Sequence, residues 1–143
     1  LQEMQDKALI EKSIAMMEDI DSVISAVGDG GSGNKRKIDL NMQKGSLEIN
    51  SIGDVIIFKL ESNYKFSEYG QDIQYPSSVA RTEQKGKLNI ITLTNNYTGT
   101  YDITFNKEDT TKVISKASTP YKIFAANNGA NLDGKINIDF ELG

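Results

Sequence analysis

The chain has no cysteine, no histidine and no tryptophan, and only two prolines in 143 residues. Without cysteine there are no disulfides, no thiol nucleophile and no thiolate metal site. Without histidine there is no Ser-His-Asp arrangement, no imidazole-ligated zinc and no imidazole acid–base step. Carboxylate, lysine, tyrosine and serine chemistry remain. Glycoside hydrolysis, for one, needs two acids facing each other across a cleft, whereas Asp139 and Glu141 alternate on one strand and share a face. The expectation is that the chain is not an enzyme. No stretch reaches the roughly 18 apolar residues needed to cross a bilayer, and no basic–apolar–small leader is visible. The net charge is −4, which argues against a nucleic-acid partner, because displacing phosphate counterions takes a concentrated basic surface. The basic cluster Lys35-Arg36-Lys37 reads as a solvated turn entering a strand.

What is present begins with residues 1–27, which hold no glycine and no proline. Met4, Leu9, Ile10, Ile14, Met17, Ile20, Ile24 and Val27, with Met16 and Val23, form a stripe wider than a coiled-coil seam, and the charged residues fall mostly elsewhere. A helix of this length spans roughly 40 Å. Alone in water it is marginal, so the stripe must lie against a sheet or other helices. Methionines could make an adaptable binding groove, but core packing is the expected role of Met4, Met16 and Met17. The glycine-rich stretch Gly28–Asn34 ends the helix, with Gly28 expected in the left-handed position just past its end. That stretch lacks the Gly-Lys-Ser/Thr of a phosphate-binding loop and leads into a strand. Asp29 is not followed by the acid spacing of a calcium loop. No metal and no cofactor are expected. The resulting division is a helix over 1–28, a linker over 29–34 and a β domain over 35–143.

Beyond residue 34 the period changes to two, with branched residues in short runs broken by glycine. Strands are expected over 37–42, 46–49, 54–60, 87–94, 100–105, 111–115, 121–125 and 135–142, with a short aromatic piece over 63–67. Residues 68–77, which contain Pro76, read as a loop. The expected fold class is α+β: a long N-terminal amphipathic helix packed on an antiparallel sheet or β-sandwich of about eight strands. Asn95–Gly99 is read as a hairpin loop joining strands 87–94 and 100–105, and Asn96-Tyr97-Thr98 within it is a sequon, so Asn96 is a candidate N-glycosylation site. Tyr64, Tyr69 and Tyr75 surround the irregular middle segment and are candidate surface contacts, with cover for the rim of the core as their plainer role. Asn127, Asn128 and Asn131 are expected to supply left-handed turn conformations.

Three stretches carry a likeness to a known family. They are Ile20-Asp21-Ser22-Val23 through Ile38-Asp39-Leu40, Leu47-Glu48-Ile49 through Ile56-Ile57-Phe58-Lys59-Leu60, and Ser118-Thr119-Pro120-Tyr121-Lys122-Ile123-Phe124 with Asn127-Asn128-Gly129 and a last strand. In this layout the chain resembles the soluble ectodomain of archaeal type IV pilin-like proteins of the class III signal peptide group. The resemblance implies a pilin-like fold and a structural subunit of an extracellular, adhesive cell-surface filament. It implies copies of itself as partners, with pilus assembly machinery and a prepilin peptidase acting on the precursor. It also implies an apolar helical half ahead of Leu1 that anchors the subunit in the membrane before assembly. The start at Leu1, inside a helical pattern, predicts a processed or truncated chain. The helix is expected to have two jobs: residues 14–27 pack on the β domain, and residues 1–10 leave it to meet neighbouring helices. The alternative is a non-polymerising β-sandwich binding module or accessory protein of an archaeal surface or motility machine.

Overall fold

A computed structural model describes residues 1–117 and 119–143. Ser118, the first residue of the third family-like stretch, lies outside the described residues. Helix α1 runs over Gln2–Asp29. Ile10, Met17, Ile20, Ile24 and Val27 recur at spacings of three, four and seven on one face, and all are buried. The chain leaves the helix through Gly30, whose N–H donates to Val27 O at 3.3 Å. Gly28 does not take the expected left-handed position. It lies inside the helix, buried, where an added Cβ would sit 2.5 Å from the Tyr101 hydroxyl. Glycine is needed there for close approach of a ring, and positive φ is left to Gly31 and Gly33.

Ten strands follow among the described residues, and the class is α+β. The larger sheet has six antiparallel strands in the order β4 (Asp72–Gln74), β5 (Val79–Lys85), β6 (Leu88–Asn96), β3 (Val55–Ser62), β2 (Ser46–Asn50), β8 (Thr111–Ser115). The smaller has four in the order β1 (Lys35–Leu40), β9 (Tyr121–Ala130), β10 (Ile136–Leu142), β7 (Tyr101–Phe105). Its β10–β7 pair is parallel, so the assembly is mixed and not wholly antiparallel. The cause is the connection after β6. It was read as a hairpin loop, but Tyr97–Thr100 hands the chain from one sheet to the other, and β7 pairs with the last strand instead of with β6. Strands β4 and β5 were not expected, and residues 63–67 form no strand. The inward positions of β5 are Ala80 and Thr82, too small and too polar to give an apolar alternation.

The helix packs on both sheets, touching β1, β9 and β10 of one and β3 and β6 of the other. At Ile20 the three layers meet. Ile38, Leu40, Ile123 and Phe140 come from the smaller sheet, and Leu47, Ile49 and Ile56 from the larger. The alternation of β2, β3 and β6 turns Leu47, Ile49, Ile56, Phe58, Leu60, Ile91 and Leu93 inward, and with them the polar Ser62, Asn89 and Asn95.

Candidate functional site

The helix is gripped by polar side chains as well as by the apolar seam. Asp6, buried at the edge of the domain, accepts the Asn63 N–H at 2.8 Å and the Gln2 side-chain amide at 2.8 Å, with Lys44 Nζ at 3.5 Å. Burial pushes its carboxyl up, but these donors and the lysine outweigh that and hold it below the usual carboxylate range. Glu18 accepts from the Ser77 N–H and hydroxyl. Asn95, on β6, donates to the Met17 carbonyl at 2.9 Å, and Tyr97 donates to Asp21 at 2.9 Å. Burial and the Asp21 charge together raise the Tyr97 phenol far above its ordinary value, so it stays a donor. Asn127, on β9, donates to the Val27 and Gly28 carbonyls at 3.1 and 3.3 Å. These are end-of-helix carbonyls that lack partners within the helix. Asn127 therefore caps α1 from a distant strand. Asn127, Asn128 and Asn131 do not adopt the left-handed conformation expected of them; that falls to Asp54, Asn106 and Lys107 among non-glycine residues.

This grip places the helix residues singled out in the sequence. Ile10, Met17, Ile20, Ile24 and Val27 lie in the core of their own chain, and Leu9, Ile14, Met16 and Val23 are half-buried against it. Residues 1–10 do not leave the domain as a block, because Asp6 and Ile10 are both buried. Only the first turn stands out, with Leu1 95% and Met4 75% exposed. Among the described residues no helix is long and apolar enough to cross a membrane. Asn96 is exposed at the end of β6, and its side-chain oxygen accepts the Thr98 N–H at 2.9 Å. Tyr64 and Tyr75 are half-buried against the core, and Tyr69 is 38% exposed and donates to Asn89 at 2.6 Å.

One feature was not foreseen. At the end of the molecule where the helix stops, the turns after β2 and β9, the start of β7 and the segment before β8 enclose a recess of about 300 Å³. Asp54, Asp102, Asp109 and Asp133 line it, with Asn131, Thr104 and Ser51. Asp54 adopts φ 54°, a conformation aspartate tolerates better than most residues, and accepts the Ile103 N–H at 2.8 Å. Lys135 lies 3.2 Å from Asp102 and 3.7 Å from Asp133. Burial raises the Asp102 carboxyl, but Asn131 and Lys135 lower it further, so it stays charged. Ser51 is 3% exposed, and its hydroxyl is the one buried side-chain polar atom without a hydrogen-bond partner among the described residues. Ile52 and Leu132 stand in solvent at the rim.

No family model, no curated protein and no solved structure matches the chain significantly. What the protein does is therefore read from its own surfaces. Three are distinctive: the protruding helix turn, the exposed sequon and the acidic recess.

Proposed function

We propose that this chain is a structural, non-catalytic subunit of an extracellular type IV pilus-like filament, assembling through its N-terminal helix. The observation that carries this reading is the division of α1: its body is locked into its own domain, and its first turn projects with Leu1 and Met4 in solvent. Leu9 and Met16 add half-buried apolar surface along one flank of the buried face, and Ile14 along the other. A neighbouring copy that covers this surface gains about 25 cal/mol per Å² of apolar surface. A contact between unlike surfaces propagates into a filament when its rotation does not close a ring. In this reading the partners are copies of the chain, with a prepilin peptidase and assembly machinery acting on a precursor held in the membrane before assembly, and the adhesive filament lies at the cell surface. The exposed Asn96 then faces solvent along the filament and carries an N-linked glycan, which intact-mass measurement of native protein tests.

The experiment is electron microscopy of native material from cells carrying Met4→Asp. Filaments are expected from the parent and not from the variant, whose domain keeps its core. Unaltered filaments from the variant would remove the helix as the assembly surface. A second reading has its own observation. Since most of the helix stripe is covered within one chain, the protein also suits a non-polymerising binding module or accessory protein of a surface machine. Native material that shows single particles and no filaments selects it.

A further inference from the structure

The two ends of the six-stranded sheet carry opposite charge. Strands β3, β2 and β8 lie side by side, and each runs between the acidic recess and a second one. β2 starts at Ser46 and leads into Ser51. β3 starts beside Asp54 and passes Lys59. β8 starts shortly after Asp109 and ends beside Lys116. Lys44, Lys59, Lys85 and Lys116 line the second recess, about 540 Å³, with Glu61 as its only acid. Glu61 is answered by Lys85 at 3.6 Å, and Lys44 is turned to Asp6. Lys59 and Lys116 make no ion pair among the described residues, and neither do Asp54 and Asp109 in the acidic recess. At roughly 3.3 Å per residue, the five steps along β3 from Asp54 to Lys59 separate the two recesses by roughly 17 Å. That is about two Debye lengths at physiological salt, so attraction between the two ends of one molecule is largely screened.

We propose that these recesses are the two halves of one contact between copies of this chain: the lysines at the base of one copy seat in the acidic recess at the tip of the next. This deepens the filament reading and rests on it. A lysine ammonium brings three donors and no acceptor, which suits a cavity lined by carboxylates and by the Ser51 hydroxyl, buried and without a partner. The exposed Ile52 and Leu132 at the rim are covered when a second copy sits there. A bare divalent cation fits less well. Calcium takes about 6–8 oxygens at about 2.3–2.6 Å, and no three acidic side chains among the described residues converge in that way. The contact joins unlike patches at opposite ends of the same strands, a placement that favours an open stack over a closed ring.

Sedimentation of the purified chain tests the contact, because opposite charges attract over about 30 Å at 0.01 M salt and over about 3 Å at 1 M. Mass that rises with concentration at low salt and falls to monomer at high salt is expected. Asp109→Lys alone, or Lys59→Glu with Lys116→Glu, abolishes the rise, and mixing the two variants restores it. All three side chains are exposed, so the fold is not at stake. Because the chain has no cysteine, Asp109→Cys with Lys59→Cys should oxidise to a ladder of linked copies, while Asp109→Cys alone stops at dimers. A chain that stays monomeric at low salt, or that associates regardless of these charges, overturns the proposal. Calcium that raises the melting temperature of a strictly monomeric chain also overturns it and gives the recess to an ion. Filaments in native material beside a monomeric low-salt chain would remove this contact and leave the filament reading in place.

Discussion

Met4 and Met17 are the same residue on the same helix, yet Met4 is 75% exposed and Met17 is fully buried. The difference lies in which face of the helix each occupies, since thirteen residues at 3.6 per turn put them about 140° apart. At Met17 two sheets close on the helix, and Asn95 reaches the Met17 carbonyl itself. Met4 faces away from the side that buries Asp6 and Ile10. One helix thus serves two environments: a face that belongs to the core and an apolar first turn that belongs to whatever lies outside.

That contrast can be broken from either side. The largest effect is expected in the body: Ile24→Ala should cost about 2–5 kcal/mol by cavity formation, read as the shift of the denaturant midpoint. Asn127→Ala should cost about 1–3 kcal/mol, because it removes the side-chain donor shared by the Val27 and Gly28 carbonyls, of which Val27 keeps the Gly30 N–H. Hydrogen exchange should then quicken in the last turn of the helix before anywhere else. Asp6 sharpens the boundary through pH. Its carboxyl is held below its unfolded value, so its stabilisation is complete above the ordinary carboxylate range and is lost as pH falls through the lowered value. Melting temperature followed against pH should show this acid-side loss, and Asp6→Asn should reduce its slope. The smallest effect belongs to the first turn: Met4→Ala should move stability by no more than about 0.5 kcal/mol. A cost at Met4 comparable to that at Ile24 would mean that the two regions are not distinct.

The helix was legible because its apolar residues recur on one face, β2 because Leu47 and Ile49 alternate with polar residues, and β3 and β6 because branched residues are concentrated in them. β5 was not, since Ala80 and Thr82 give no apolar signal and its pairing with β6 supplies the order. The glycine-rich stretch marked the end of the helix, but Gly28 was misplaced because the ring that demands it, Tyr101, arrives from far along the chain. The role of Asn127 was hidden for the same reason. Nothing local marks the acidic recess either: Asp54, Asp102, Asp109 and Asp133 sit in ordinary turn sequences and meet only because two sheets bring their turns to one end.

The parallel pairing of β7 and β10 bears on how the molecule is made. β10 lies between β9 and β7, in the interior of its sheet, although it is the last strand in chain order. Until Ile136–Leu142 has been synthesised, β7 has no neighbour in that sheet and the helix lacks its contact with β10. The nascent chain therefore holds a helix seat that is built on one sheet and unfinished on the other. Closure of the smaller sheet comes late, and strand β10 is its latch.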